Sequence, residues 1–199
     1  MNKHQELMLS LAKKHEIIND LIGKKQVSYL DIPVYDNVGD LLIMHGTLKF
    51  FTKNNIDAVT MLSENSFYDD AIEKEDVIVF QGGGNFGDLY KNLQNFREKL
   101  VEKYTSNRII IMPQTIYFES DENYKKCCEI FRQHKDLHIC VRDKVSYKLA
   151  QQMSNYVYLL PDMAHQLYPI KSIDTQKDQK LLIKRLDGES LVSLDSSRF

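Results

Sequence analysis

The 199-residue sequence predicts a doubly wound α/β fold with a mainly parallel, Rossmann-like sheet. Two observations carry that prediction. Short runs rich in β-branched and aromatic residues alternate with segments of helical spacing, as successive βαβ units require. One such run, Val77–Phe80, opens through Gln81 into three consecutive glycines, Gly82, Gly83 and Gly84. A buried strand that ends in glycines lets the backbone take positive φ and come close to a ligand. Beyond it, Asp88 reads as an N-cap, and Leu93, Phe96, Leu100, Val101 and Tyr104 follow at helical spacing. A helix N-terminus at that place favours an anion.

The remaining elements follow in chain order. Asn2–Ile22 reads as one amphipathic helix, with Leu7, Leu11, Ile18 and Leu21 on one face and Gly23 as its stop. Val27–Ile32 is a strand, Pro33–Asp40 a turn-rich loop and Leu41–Lys53 a helix capped by Asp40. Ala58–Leu62 is the second strand, with a short helix expected near Asp69–Glu73. After the strand–glycine–helix unit come a strand at Arg108–Met112, a loop at Pro113–Ser120 and a helix at Asp121–His134. The last predicted elements of this domain are strand Leu137–Val141, helix Asp143–Met153 and strand Tyr156–Leu160. The composition turns polar over Pro169–Gln179. Residues 1–171 are therefore assigned to the Rossmann-like domain. Residues 172–199 are assigned to a linker and the start of a truncated second domain, whose strand is Lys180–Leu186. The stretch after the linker is too short for a core of its own.

Totals exclude several classes. Apolar residues make up 43% and charged residues 27%, the balance of an ordinary globular protein. A net charge of −2 argues against a general nucleic-acid binder, so any anion site must be local. No apolar run is long enough to span a bilayer, and the charged N-terminus has no signal-peptide core. The expected compartment is the cytoplasm. Cys127, Cys128 and Cys140 suggest no disulfide framework.

In doubly wound sheets ligands bind beyond the carboxyl ends of the strands. The informative residues are then Asn37, Gly39 and Asp40; Gln81–Asn85; Pro113, Gln114 and Thr115; Arg142 and Asp143; Pro161 and Asp162. Gly82, Gly84 and Gly87 fit the dinucleotide fingerprint. That fingerprint normally follows a first strand, with an acid at the next strand tip, and here it follows the third and lacks the acid. Tight strand–helix packing alone is the other reading of these glycines. A Walker loop is excluded, because no Gly-Lys-Ser/Thr follows. Arg142 can grip an oxyanion with its planar fork or pair with a neighbouring carboxylate. Asp143, with Ser146 three residues on, suits an N-cap. Asp40 either caps a helix or acts as a general base on a hydroxyl. Asn37 and Asn85 suit turns or sugar hydroxyls. Among the histidines, His165 follows the Pro161-Asp162 tip and is the better acid candidate, ahead of His45. His134, His138 and Cys140 fit no common metal spacing, so no metal is expected.

NVGD before a helix, FQGGGNFGD, IIIMPQTI, VRDKVSYKLA and LLPDMAHQL occur in the order found in polysaccharide pyruvyl transferases, which this chain resembles over most of Val27–Tyr168. KLLIKRLDGE resembles the first strand of that family's second domain, and Met163 stands where the family often has proline. The resemblance implies half of a GT-B-like architecture of two Rossmann-like domains facing across a cleft. It implies transfer of pyruvyl from phosphoenolpyruvate to a pair of sugar hydroxyls, in exopolysaccharide or cell-surface polysaccharide synthesis. Phosphoenolpyruvate is then the donor substrate, with no cofactor, and the acceptor is a saccharide or lipid-linked saccharide. Arg142, Asp40 and His165 become the expected catalytic residues. Asn37, Gly39, Gly82, Gly83, Gly84, Asn85, Gln114 and Asp162 become the expected substrate contacts. The resemblance places the general acid in the second domain. The chain alone is therefore expected to bind the donor weakly without turnover, and to self-associate through its tail. A nucleotide-sugar glycosyltransferase and a non-catalytic interaction domain are the alternatives.

Overall fold

Every strand of the sheet runs parallel to its neighbours, as βαβ spacing demands. In the computed structural model, which describes residues 2–170, the strands are β1 (Val27–Leu30), β2 (Ala58–Leu62), β3 (Val77–Phe80), β4 (Gly83–Gly87), β5 (Ile109–Tyr117), β6 (Leu137–Val141) and β7 (Tyr156–Leu159). The order is β2-β1-β3-β5-β6-β7, with β4 paired to the far end of β5. The chain winds outward from β1 to β2, then returns to β3 on the other side of β1. The carboxyl ends of β1 and β3 therefore form the topological switch point, where such sheets bind ligands.

Helices cover both faces, which is why the central strands read as continuous apolar runs. Val27, Tyr29, Val77, Val79, Ile110, Met112 and Cys140 pack with Ile18, Ile22, Ile43, Phe50 and Phe51 on one side. Leu30, Ile78, Phe80, Ile109, Ile111, Leu137, Ile139 and Val141 pack with Phe96, Leu100, Cys127, Phe131 and Ala150 on the other. The first layer is built by the second N-terminal helix, Glu16–Ile22, and α3 (Val38–Lys53); the second by α4 (Lys91–Lys103), α5 (Asp121–Gln133) and α6 (Lys144–Ala150). No helix among the described residues is long and apolar enough to cross a membrane.

Several expected elements are redrawn. The N-terminal helix is two, α1 (Lys3–Lys13) and α2 (Glu16–Ile22). The break falls where His15 is drawn into the core, its ring 2.8 Å from the carbonyl of Pro161 and 2.8 Å from the amide nitrogen of Gln166. Only α2 buries an apolar face; α1 buries none of its residues. Asn37, not Asp40, caps α3: its side-chain oxygen accepts from the amides of Gly39 (2.9 Å) and Asp40 (3.4 Å). The short helix expected near residues 69–73 is a turn, and the 3-10 turn lies earlier, at Glu64–Ser66.

β5 runs on past Met112 through Pro113, because Gly83–Gly87 adds a strand alongside its second half. Pro113 lacks an amide proton, and it sits where the β5–β6 register shifts, an irregularity that tolerates the missing donor. Asp88 does not cap α4. It opens a 3-10 turn, Asp88–Tyr90, and its carboxylate accepts from the amides of Glu119 (2.7 Å) and Ser120 (2.9 Å) and from the Asn123 side chain (2.9 Å). Ser120 and Asp143 cap α5 and α6. The compact unit carrying these elements ends at Tyr168. The expected boundary at residue 172 and the strand Lys180–Leu186 lie outside the described residues.

Candidate functional site

At the switch point β1 ends in Asp31, a non-glycine residue with φ of 62°. Such backbone is costly for a side chain bearing residue, and it persists only where the surroundings fix it. Here the fixing partner is Arg97 of α4, fully buried. One terminal nitrogen, Nη2, donates to Asp31 Oδ2 and to Asn85 Oδ1, both at 3.0 Å, and Nη1 donates to Gln94 Oε1 at 3.0 Å. The guanidinium also lies over the Phe86 ring, 4.9 Å from its centroid. Burial pushes the Asp31 carboxyl up to about 6, against the pull of Arg97. Gln114 of β5 donates to the carbonyl of Gln81 (2.8 Å) and to Asn85 Oδ1 (3.0 Å). Gln81 donates in turn to the carbonyl of Asp40 (3.2 Å) and accepts from the Tyr29 hydroxyl. This network locks the tips of β1, β3, β4 and β5 to the first turn of α3.

The rim above it is built by close approach to glycines. A Cβ on Gly82 would lie 2.9 Å from the Pro113 carbonyl oxygen, so that glycine serves strand packing. Gly83 has φ of 136°, and its missing Cβ would lie 3.0 Å from Asp40 Oδ1. The missing Cβ of Gly84 would lie 3.4 Å from Arg142 Nη2. Asp40 and Arg142 thus converge on adjacent residues of one backbone segment. Arg142 is aimed by two further bonds: Nε donates to Thr115 Oγ1 (2.8 Å) and Nη1 to Asp162 Oδ2 (2.6 Å). The other oxygen of Asp162 accepts from the amide of Ala164 (2.9 Å), opening the 3-10 turn Met163–Leu167. His165 lies in that turn and shares an open groove of about 460 Å³ with Arg142, Asp162, Leu11, Lys14 and Pro161. Its buried Nδ1 has no hydrogen-bond partner among the described residues.

The expectation that the glycines deliver a ligand straight to a helix N-terminus is corrected. Gly83 and Gly84 themselves open β4, which runs to Gly87, and α4 starts only at Lys91 without a side-chain cap. Among the expected site residues, Asp40, Gly83, Gly84, Arg142 and Asp162 come together, with His165 in the same groove. Asn37 and Gly39 form the first turn of α3 beneath Asp40. Gly82, Asn85 and Gln114 lie in the buried layer that supports the rim. His138 is elsewhere, near the amino-terminal end of β6, stacked on Tyr156 and 2.7 Å from Asp136 Oδ1. Among the described residues no three His, Cys, Asp or Glu side chains are placed to hold a metal. Sequence reasoning missed Asp31, Tyr35 and Arg97. Asp31 and Tyr35 follow β1 directly, so the rule that picked the other strand tips reaches them. Arg97 sits in mid-helix, where nothing in its spacing marks it.

Fold and rim together define a Rossmann-like α/β domain with a cation and a carboxylate directed at a glycine turn. Residues 37–196 match the family model described as polysaccharide pyruvyl transferase, and the chain belongs to that family. It is 44% identical to EpsO of Bacillus subtilis over 193 residues, covering 95% of this chain and 59% of EpsO. It is 28% identical over 182 residues to pyruvyl transferase 1 of Schizosaccharomyces pombe, covering 84% of this chain and 45% of that protein. The chain thus spans about three-fifths or less of the length of these relatives. A crystal structure of an uncharacterized protein from Klebsiella pneumoniae shares the fold, with a TM-score of 0.58 at 22% identity, over 85% of this chain and 59% of the other.

Proposed function

We propose that this chain carries the rim at which phosphoenolpyruvate meets a sugar acceptor, for the attachment of pyruvyl to an exopolysaccharide or cell-surface polysaccharide in the cytoplasm. The observation that supports this most directly is the placement of Arg142. Two of its nitrogens are held by Thr115 and Asp162, while Nη2 faces the open side of Gly84. With Nε and Nη1 held, Nη2 is the donor left for a carboxylate or phosphate, and using it costs little further side-chain freedom. Backbone amides of the glycine turn add donors.

The chemistry then follows from the donor. A proton goes to the methylene carbon, and a sugar hydroxyl adds to the central carbon. Asp40, beside Gly83, takes the hydroxyl proton. The carbon–oxygen bond to phosphate breaks, and the second hydroxyl closes the ketal, giving its proton to the departing phosphate. His165 is the described imidazole nearest the groove and is assigned the proton delivery. The high energy of the enol phosphate drives the sequence, so no cofactor is invoked.

Calorimetry with phosphoenolpyruvate tests the reading. The chain should bind it, Arg142→Ala should not, and Arg142→Lys should recover only part of the affinity. Binding of UDP in place of phosphoenolpyruvate, lost in Arg142→Ala, would instead support a nucleotide-sugar transferase.

A further inference from the structure

The switch point opens on a pocket of about 570 Å³ that the donor chemistry does not use. Its volume is that of a small-ligand site. Asp31 forms part of its lining, with Glu64, Asn92, Val34, Tyr35 and Tyr90. Its apolar members keep exposed surface: Val34 is 64% exposed, Tyr35 41% and Tyr90 39%. Carboxylates and an amide thus share one concavity with two aromatic rings and aliphatic surface. That mixture suits a ligand with hydroxyls on its edge and C–H bonds on its face. An anion suits it less well, because two carboxylates, Glu64 and Asp31, stand against the single cation of the lining, Lys91.

Tyr35 connects this pocket to the rim. Burial first, and then the carboxylates of Asp40 and Asp31, push its hydroxyl well above the ordinary tyrosine range, so it stays a neutral donor next to both acids. Asp40 in turn lies against Gly83, next to the residue that Arg142 approaches. A chain of neighbours therefore runs from the pocket through Tyr35 and Asp40 to Arg142.

We infer that this pocket is the acceptor subsite, holding an uncharged pyranose ring against Tyr35 and Tyr90 with its hydroxyls toward Glu64 and Asn92. The inference rests on the pyruvyl-transfer reading above, since it places the acceptor beside the proposed donor site. It assigns donor and acceptor to separate residues, so each can be lost alone.

Saturation-transfer NMR on the 199-residue chain, with the methyl glycosides of neutral hexopyranoses as probes, tests it. At least one glycoside should receive saturation. Tyr90→Ala should weaken that glycoside about threefold to tenfold, the worth of one ring contact. Tyr90→Phe should keep the affinity, because the ring face is retained, and phosphoenolpyruvate binding should be the same in both variants. No transfer to any glycoside would overturn the inference, as would binding that ignores both Tyr90→Ala and Glu64→Gln. So would UMP displacing the glycoside and binding with the same dependence on Tyr90. Failure of phosphoenolpyruvate to bind while the glycoside still depends on Tyr90 would defeat the donor reading and leave the sugar site standing.

Discussion

Two arginine–aspartate pairs lie within the same edge of the sheet and do opposite work. Arg97 and Asp31 are 3.0 Å apart, with side chains 0% and 3% exposed. Arg142 and Asp162 are 2.6 Å apart, with side chains 32% and 21% exposed. Distance alone would rank the second pair as the stronger. Solvent reverses the ranking of what each loss would cost. A partly exposed pair is screened and contributes on the order of 0–1 kcal/mol. A buried pair need not favour folding over an apolar substitute, yet removing one partner strands the other charge at a cost of several kcal/mol. The inner arginine is thus committed to the architecture, while the outer one can exchange part of its environment for a ligand.

The sharpest way to break this contrast is to remove the inner cation. Arg97→Met should destabilise the chain by about 3–5 kcal/mol, read by urea unfolding, because Asp31 would remain buried without a counter-charge. Adding Asp31→Asn should recover part of that loss. Equal stabilities for Arg97→Met and the native chain would show that the network does not hold the strand tips. The glycines give a second, smaller contrast. A Cβ on Gly46 of α3 would lie 2.1 Å from the backbone oxygen of Met163, so the turn carrying His165 would have to move. Gly46→Ala should cost about 1–3 kcal/mol. Gly84→Ala, with its nearest contact the 3.4 Å approach to Arg142 Nη2, should cost less and act mainly on anion binding.

The same division governs what could be read from the sequence. Strand and helix alternation is a statement about which residues must leave water, and that pattern placed β2, β3, β6, α5 and the cap at Asp143 closely. Arg142 and Asp162 were legible because strand tips in such sheets are exposed by topology. The Asp31–Arg97 pair was not, since it depends on α4 folding back over β4, a contact between residues 66 positions apart. The strand character of Gly83–Gly87 was hidden for a similar reason. Glycines have low strand preference, and only the free edge of β5 recruits them. His15 broke the first helix through partners near residue 161, which local periodicity does not see.

Titration probes the inner pair without a large rearrangement. Asp31 has its folded pKa raised to about 6, above the value of about 3.9 for an unfolded aspartate. The folded chain therefore holds this proton where the unfolded chain has released it. The contribution to stability is fully present below about pH 4 and is lost as the pH rises through about 6. Urea midpoints measured across that window should fall more steeply with rising pH in the native chain than in Asp31→Asn. A slope that the substitution leaves unchanged would assign the effect to another group.

The smallest stability effect belongs to the outer pair, and it is the one with the largest consequence for binding. Arg142→Ala removes one ion pair and one bond to Thr115 at a surface already wet on both sides. Unfolding should shift by no more than about 1 kcal/mol. Asp162 keeps its bond from the amide of Ala164, so the turn that carries His165 should hold its place. Phosphoenolpyruvate binding should nevertheless disappear, because Arg142 is the cation whose terminal nitrogen lies against Gly84. Asp162→Asn separates the two roles of the arginine further. It releases Nη1 from its charged partner while leaving an acceptor for Ala164, so the fork becomes more available but less precisely held. If the anion is gripped by Nη2 alone, affinity should change little. If the ligand competes with Asp162 for the whole fork, Asp162→Asn should bind phosphoenolpyruvate more tightly than the native chain, and calorimetry of the two proteins side by side decides between these modes.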